Sequence, residues 1–240
     1  MRRPEAVVLL SGGLDSAVAF ACARRDGFRV HALAVDYGQR HRHELACARR
    51  LAGAMVAGSF RVVELGLRAV GGSALTDAID VPKNPGGPAA GGAGGSGDGG
   101  IPITYVPARN LTFLAIAAGL AEVVGARVIY IGVNAVDYSG YPDCRRPFID
   151  AFERCAALGT RAGDRGEAVR VETPLVSLSK AGIIRLGASL GVEFALTSSC
   201  YDPTPEGLSC GGCESCQIRR RGFEEAGVAD PTRYAAGAGR

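Results

Sequence analysis

The chain has 240 residues, of which 47% are hydrophobic, and it contains no tryptophan. Its formal charge of +3 is too mild to predict nucleic-acid binding, and the arginine triplet at 219–221 is expected on a solvated helix surface. The N-terminus leads into a short apolar segment without a signal-peptide core, and no apolar stretch is long enough to span a bilayer. We therefore expect a cytoplasmic protein with reduced cysteines, no membrane association and no stable nucleic-acid partner.

The first predicted element is a strand that runs into a glycine-containing loop and then a helix. Residues 6–10 form an apolar run typical of a buried parallel strand, and residues 17–23 favour a buried helix. The loop at 11–16 contains two glycines, which let the backbone turn tightly and approach a ligand closely. Free N–H groups at a helix N-terminus bind anions. An ordinary capped helix is the simpler alternative, but the complete hexapeptide at this junction favours a phosphate site.

Strand and helix patterns then alternate, which predicts an α/β fold with a doubly wound parallel sheet and helices on both faces. Ligands bind such sheets outside the carboxyl ends of the strands, where residues 36–43 and 133–146 would join the loop at 11–16. The later predicted strands are 29–35, 61–65, 127–133 and 168–172, and the later helices are 44–51, 109–124, 147–158 and 179–190.

Residues 85–100 interrupt this alternation with repeated glycine pairs and few side chains that can be buried. We expect a mobile surface loop there, and we favour a tolerated insertion over a functional lid. The predicted nucleotide-binding domain covers residues 1–195, including this loop. Residues 196–240 are expected to form a small C-terminal subdomain.

Four of the eight cysteines lie in that subdomain: Cys200, Cys210, Cys213 and Cys216. The last three are spaced by three residues, and the glycines at 211 and 212 allow the tight turn of a metal-binding knuckle. Four thiolates suit a closed tetrahedral Zn²⁺ site with a structural role. An iron–sulfur cluster is the alternative with the same ligand type. A disulfide is disfavoured in the cytosol, and a redox pair would leave two cysteines unexplained.

The hexapeptide at 11–16 resembles the signature of the PP-loop ATP pyrophosphatases, which have an adenine nucleotide alpha hydrolase-like fold. These enzymes cleave ATP between the α and β phosphates and adenylate an oxygen of the substrate. Over almost the whole chain, further motifs in order resemble the 7-cyano-7-deazaguanine synthase (QueC) family. These motifs are residues 36–41, 106–110, 137–145, 173–175 with Lys180, 199–201 before the cysteine knuckle, and 230–234.

The resemblance implies an ATP-dependent ligase of queuosine biosynthesis. It would convert 7-carboxy-7-deazaguanine and ammonia, with ATP and Mg²⁺, into 7-cyano-7-deazaguanine, AMP and pyrophosphate. The acid would be adenylated and converted to an amide, and the amide would be adenylated in turn before loss of AMP leaves the nitrile. One structural Zn²⁺ per chain and a homodimer are also implied. The sequence contains no glutaminase domain, so ammonia would be taken up free or from a partner.

The resemblance also implies site residues. Catalysis would fall to Asp15, Arg109 and Lys180, with Asp15 orienting the loop or holding Mg²⁺ and the two cations offsetting charge on pyrophosphate. For Lys180, a surface position at a helix start is an equal alternative. The ATP-binding residues are Leu10, Ser11, Gly12, Gly13, Leu14, Asp15, Ser16, Ala17, Val18, Ala19 and Phe20. The substrate-binding residues are Tyr37, Gln39, Arg40, Asn110, Asp137, Tyr138, Tyr141 and Asp143.

Several roles stay open in the sequence. A carboxylate is needed to pair with the N–H edge of the base, and either Asp137 or Asp143 can supply it, although aspartate also suits turns. His41 and His43 fit acid–base catalysis or a hydrogen bond that fixes the loop. Cys144 is interpreted as a pocket-lining residue, with a nucleophilic role as the alternative.

Other functions use related chemistry. A diverged ligase that stops at the amide, or that joins the deazaguanine to a protein amine, would need the same activation step. A PP-loop tRNA thiolase would need a persulfide cysteine and an RNA-binding extension, which the charge balance disfavours. A zinc-ribbon interaction module on a nucleotide-sensing domain is disfavoured by the complete phosphate loop and by residues 137–145.

Overall fold

The computed structural model describes residues 3–39, 43–83, 101–134 and 141–236. Its centre is a five-stranded sheet of order β3-β2-β1-β4-β5, in which every neighbouring pair is parallel. The strands are β1 (Glu5–Leu9), β2 (Arg29–Asp36), β3 (Ser59–Glu64), β4 (Val128–Tyr130) and β5 (Arg170–Glu172). The helices are α1 (Leu14–Arg25), α2 (His43–Ala54), α3 (Arg109–Val124), α4 (Arg146–Gly159), α5 (Arg161–Asp164), α6 (Lys180–Ser189) and α7 (Glu214–Ala226).

The apolar run near the N-terminus forms β1, which is buried on both faces of the sheet. Its side chains alternate between two cores, with Ala6 and Val8 on one side of the sheet and Val7 and Leu9 on the other. Helices α1, α2, α6 and α7 contribute to the first core, and α3 and α4 contribute to the second. A strand covered on both faces has no polar side, so the predicted doubly wound α/β fold is confirmed.

The strand order places a crevice between β1 and β4. From β1 the chain moves outward to β2 and β3 on one side of the sheet, and then to β4 and β5 on the other. Loops at the carboxyl ends of such neighbouring strands diverge to opposite faces and leave a ligand cleft between them. In this chain the cleft is lined by the loops after β1 and β4, the starts of α3 and α6, and residues 198–201.

Two differences from the sequence expectation have a clear physical reason. β4 ends at Tyr130 instead of at residue 133, because the chain leaves the sheet to pass against the start of α1. The expectation of a solvated Arg219 is wrong, since this residue of α7 is only 3% exposed. Asp230 Oδ1 lies 3.1 Å from its Nε, and this ion pair offsets the cost of burying the guanidinium.

The C-terminal region packs against the sheet domain through α6 and α7. Phe194 and Phe223 meet edge to face, with ring centroids 5.2 Å apart. On another side, Lys83 pairs with Cys213 through an isolated antiparallel bridge, and its ammonium lies 2.8 Å from Asp202 Oδ2. Residues from the middle of the chain therefore pack with the cysteine region, and the division at residue 195 stays a prediction.

The glycine-rich residues 85–100 lie outside the described residues. Within the described part of the chain, no helix is both long enough and apolar enough to cross a bilayer.

Candidate active site and cysteine cluster

The loop after β1 is shaped by local hydrogen bonds and by a left-handed glycine. Gly12 has a φ of +94°, a conformation that strains any residue with a side chain. The Ser16 hydroxyl donates to the Gly13 carbonyl over 2.9 Å, and the Gly13 N–H donates to Ser11 Oγ over 3.2 Å. α1 begins at Leu14, so its free N–H groups and the positive end of its dipole lie at the cleft. This arrangement suits a phosphate anion.

Three chain segments hold this loop in place. A Cβ on Gly12 would lie 2.1 Å from the carbonyl oxygen of Glu44, at the start of α2. A Cβ on Gly132, after β4, would lie 2.8 Å from the backbone of α1. Ser198 donates its N–H to the Gly12 carbonyl over 2.9 Å. The loop is therefore enclosed by α2, by the exit from β4 and by the segment that leads into the cysteine cluster.

Asp15 and Lys180 form a bidentate ion pair in the cleft. Lys180 Nζ lies 2.8 Å from each carboxylate oxygen of Asp15. Lys180 is 9% exposed and stands at the first position of α6, which Ser179 caps. Gly222 of α7 leaves room for it, since a Cβ there would lie 2.4 Å from Lys180 Cγ. A surface position for Lys180 does not fit this burial, and α7 determines the path of its side chain.

Arg109 lies at the cleft among aromatic side chains. Its Cζ is 5.9 Å from the centre of the Tyr37 ring, and Tyr141 and Tyr201 are also near its charge. It is the first residue of α3, and Ala108 before it has a φ of +55°. That conformation costs a non-glycine residue about 1–3 kcal/mol and is typical of positions fixed by functional constraints.

Glu44 also lines the cleft, and the sequence analysis missed it. It lies in the first turn of α2. Burial raises its pKa to about 7, while the positive charge of Arg109 acts in the opposite direction. No donor among the described residues hydrogen-bonds its carboxylate. An acidic residue at a helix start, just after the carboxyl end of β2, was the available signal.

Asn110, Asp143 and Cys144 form a buried group at the start of α3. Asp143 Oδ2 accepts the Asn110 N–H over 3.0 Å, and Asn110 Nδ2 donates to Cys144 Sγ over 3.3 Å. Asn110 and Cys144 line the cleft, whereas Asp143 is 6% exposed and lies behind its wall. Burial raises the pKa of the Cys144 thiol to about 12, so a thiolate nucleophile at neutral pH is disfavoured.

The other predicted substrate residues divide into two groups. Tyr37, Gln39 and Tyr141 line the cleft. Gln39 Oε1 accepts the Tyr37 N–H over 2.9 Å, and the Tyr141 hydroxyl is hydrogen-bonded to Thr104 Oγ1 over 2.8 Å. Arg40, His41, Asp137 and Tyr138 lie outside the described residues. His43 is described, and its ring packs against Gly207, which favours a packing role.

Arg219 is a further cleft residue that sequence reasoning missed. Its Nη1 donates to Thr197 Oγ1 over 2.8 Å and to Ser199 Oγ over 3.3 Å, and its Nε pairs with Asp230. The guanidinium therefore fixes the backbone just before Cys200. The matched motifs at 199–201 and 230–234 were the signal for this contact.

The four cysteines of the C-terminal region come together. Their sulfur atoms all lie within 4.8 Å of one another, and a zinc ion with Zn–S bonds of about 2.3 Å would place them about 3.8 Å apart. Backbone N–H groups donate to the Cys200 and Cys210 sulfurs over 3.2 and 3.3 Å. Hydrogen bonds from Cys200 and Cys216 lower the pKa of the Cys213 thiol, which favours the thiolate that a metal requires. This donor set can hold a metal ion.

This chain is similar over nearly its full length to proteins named 7-cyano-7-deazaguanine synthase. A 7-cyano-7-deazaguanine synthase from Methylococcus capsulatus is 58% identical over 230 residues, which are 95% of this chain and 98% of that protein. A 7-cyano-7-deazaguanine synthase from Solidesulfovibrio magneticus is 58% identical over 96% of this chain and 95% of its own. Among solved structures, an NH3-dependent NAD synthetase from Campylobacter jejuni aligns with a TM-score of 0.44 and 15% identity, over 82% of this chain and 68% of that chain. At that similarity, the structural alignment carries no argument about function.

The family model for QueC, described as a queuosine biosynthesis protein, matches residues 5–227. The match runs from the first strand to the residue after α7, so it includes both the phosphate loop and the cysteine cluster. The resemblance that the motifs indicated is therefore confirmed, and this chain belongs to the QueC family of queuosine biosynthesis proteins.

Proposed function

We propose that this protein converts 7-carboxy-7-deazaguanine and ammonia into 7-cyano-7-deazaguanine, with cleavage of ATP to AMP and pyrophosphate. The observation that carries the proposal is the convergence of the phosphate loop, the Asp15–Lys180 pair and Arg109 in one cleft. The names of relatives at 58% identity over nearly their full length support the same reaction.

Binding of ATP is assigned to residues 10–20. The loop N–H groups and the α1 N-terminus would hold the β and γ phosphates, and the Ser11 and Ser16 hydroxyls lie beside them. Lys180 and Arg109 would offset the charge that develops on pyrophosphate as the Pα–O bond breaks. Asp15 holds the Lys180 ammonium in place, and it is the carboxylate at the loop from which Mg²⁺ can take one ligand beside the phosphates.

The deazaguanine is assigned to the cleft wall formed by Tyr37, Gln39, Asn110 and Tyr141. The aromatic rings offer stacking surfaces, and the amide side chains offer hydrogen bonds to the base. Asp143 is engaged with the backbone of α3, which favours Asp137 as the carboxylate that pairs with the base edge. Arg40 and Tyr138, which lie outside the described residues, belong to the same proposed group.

The reaction has two activations, which explains why one phosphate site suffices. Carboxylate and amide oxygens are poor leaving groups, and transfer of AMP onto each of them in turn makes departure feasible. The protein's task is to hold the acyl oxygen in line with Pα and to stabilise the departing pyrophosphate. The enclosed loop, with contacts on three sides, provides a fixed phosphate position for both steps.

We also propose that the cysteine cluster binds one structural Zn²⁺ per chain through Cys200, Cys210, Cys213 and Cys216. Four thiolates leave no open coordination position for substrate, so the ion would stabilise the fold around the cleft. Free ammonia as nitrogen source, a homodimer and a cytoplasmic location complete the proposal, on the basis of family membership. Metal analysis by mass spectrometry and light scattering of the purified protein test the ion and the oligomeric state.

The decisive experiment is one incubation of purified protein with Mg-ATP, ammonium and 7-carboxy-7-deazaguanine, read by mass spectrometry. The nitrile, with AMP and pyrophosphate, is the expected product. Amide alone, with AMP, would replace the proposal by a diverged amide-forming ligase. Absence of substrate-dependent AMP would contradict the proposal altogether.

A further inference from the structure

Two carboxylates line the cleft within the described part of the chain, and they have different environments. Asp15 has both oxygens 2.8 Å from the Lys180 ammonium. Glu44 is half-buried, and its carboxylate accepts no hydrogen bond from any described donor. Removing a carboxylate even partly from water without a hydrogen-bond donor is costly, and such groups are often retained for a functional reason. The ion pair with Lys180 explains the position of the Asp15 carboxylate, whereas no such contact explains the position of the Glu44 carboxylate.

The proposed reaction requires several proton removals from nitrogen. When ammonia adds to the adenylated acid, a C–N bond forms and one N–H proton must leave as the C–O bond to AMP breaks. In the second activation, the amide oxygen bonds to Pα and the bond to pyrophosphate breaks. Both remaining N–H protons must then leave. As the last one goes, its electron pair forms the third C–N bond while AMP departs.

Glu44 lies beside the phosphate loop. Its backbone carbonyl occupies the space next to Gly12, so α2 starts directly against the phosphate loop. Its side chain lines the same cleft as Arg109 and Tyr37. The acyl carbon must lie close to Pα, which adjoins the phosphates on this loop. Among the described residues, Glu44 is therefore the unpaired carboxylate at the wall of the cleft where these protons are released.

On the basis of the proposed synthase reaction, we propose that the Glu44 carboxylate is the general base that takes protons from the substrate nitrogen as the amide and the nitrile form. Its pKa of about 7 supports this role, since a base titrating near neutral pH is both available and strong enough. The titratable and charged groups at this wall are Arg109, Tyr37, Cys47, Arg219 and the Asp15–Lys180 pair.

The test separates adenylation from proton removal. Adenylation of the carboxylate takes no proton from nitrogen, so carboxylate-dependent exchange of pyrophosphate into ATP should stay within about threefold of wild type in Glu44→Gln. Single-turnover conversion of the isolated amide to nitrile should fall about 100-fold or more, the usual contribution of a general base. In the wild type, kcat/KM for the amide should rise with pH through about 7, and ammonia does not take part in this step.

Glu224→Gln is the matched control, because Glu224 is an exposed helical glutamate at the end of α7, and it should behave as wild type. Equal loss of exchange and of nitrile formation in Glu44→Gln would overturn the proposal in favour of substrate binding. Wild-type rates in that variant, or a flat wild-type pH profile between 6 and 8, would also overturn it. The pH profile needs no variant, so it decides the matter even if Glu44→Gln does not fold. A wild type that makes neither amide nor nitrile refutes the proposed function itself, which is a separate outcome.

Discussion

At the scale of single residues, the cleft contains two carboxylates in contrasting settings. Asp15 has both carboxylate oxygens 2.8 Å from the Lys180 ammonium, which fixes the position of its side chain. Burial has the largest effect on the pKa of Glu44, and the charge of Arg109 acts on that pKa only through space. The cleft therefore contains one carboxylate that is engaged by a lysine and one whose pKa lies near neutral pH. Separate environments of this kind are how an active site assigns different roles to like side chains.

Replacement of Asp15 by asparagine tests the orienting role. Asp15→Asn removes the charge that fixes the Lys180 ammonium, so we expect AMP formation to fall by about 100-fold. Far-UV circular dichroism should be unchanged, because Asp15 does not belong to either hydrophobic core. Rapid-quench measurement of AMP gives the rate. AMP formation at the wild-type rate would show that the ion pair is not needed for catalysis.

The titration of Glu44 also has a consequence for stability. Its folded pKa of about 7 lies above the ordinary value of 4.5, so its contribution to stability is complete below pH 4.5 and is lost as the pH rises through 7. We expect the melting temperature of the wild type to fall relative to that of Glu44→Gln between pH 5 and pH 8. Calorimetry of both proteins at matched pH measures this difference. Parallel curves would mean that Glu44 is ionised throughout this range.

The functional residues that could be predicted from the sequence lie in local motifs, whereas those that could not be predicted act through contacts between distant parts of the chain. The phosphate loop and the cysteine knuckle are local motifs, so their spacing alone predicted a site. Gly222 and Arg219 act on residues that lie far away in the chain, at the start of α6 and before Cys200. Nothing in their immediate neighbours indicates those contacts. Such roles emerge only when the packing of α7 on α6 is known.

At the scale of elements, α7 is the least expected part of the site. The fold class followed from alternating apolar strands and helices, whereas the shortness of β4 depended on Gly132 passing against α1. α7 packs along α6 through Gly222, where Lys180 crosses over the glycine. α7 therefore packs directly against the Lys180 side chain, and it also contains Cys216 of the cysteine cluster.

A substitution at the helix crossing tests this role. In Gly222→Ala the new Cβ would lie 2.4 Å from Lys180 Cγ, so the side chain must move. We expect AMP formation to fall roughly 10- to 100-fold with metal content unchanged, since small displacements of a catalytic group are costly. Gly119→Ala is the matched control, because no atom beyond its chain neighbours and the backbone of α3 lies within 4 Å of its Cβ position. It should keep full activity and gain about 0.5–1 kcal/mol of stability.

At the scale of the whole molecule, the cysteine cluster links regions that are distant in the sequence. Ala74 and Val81 pack with Cys200 and Cys213, and Lys83 bridges to Cys213. The segment before Cys200 then continues to the phosphate loop through the Ser198–Gly12 hydrogen bond. A metal ion in the cluster would therefore stabilise the middle of the chain, the C-terminus and one side of the cleft together.

Loss of one cysteine ligand should reveal this dependence. Cys213→Ser is expected to lower the zinc content and to destabilise the protein by about 4 kcal/mol, near the upper end of single-substitution effects, where loss of a metal belongs. That corresponds to a melting temperature lower by roughly 8–16 °C in a chain of this size. Cys155→Ser is the control, because Cys155 is exposed and lies in α4, and it should change neither quantity. Full zinc content and stability in Cys213→Ser would refute the four-cysteine assignment.

The contact between Gly222 and Lys180 also bears on the order in which the protein matures during translation. Synthesis runs from the N-terminus, so the ribosome releases the phosphate loop among the first folded segments. All five strands emerge before the C-terminal helix, whose Phe223 then completes the first core. Lys180 acquires its final path only when α7 has emerged and packed on α6. If Lys180 and the loop act as proposed, the nascent chain carries its phosphate loop through most of synthesis without a complete catalytic centre, and competence to consume ATP arrives with the last helix.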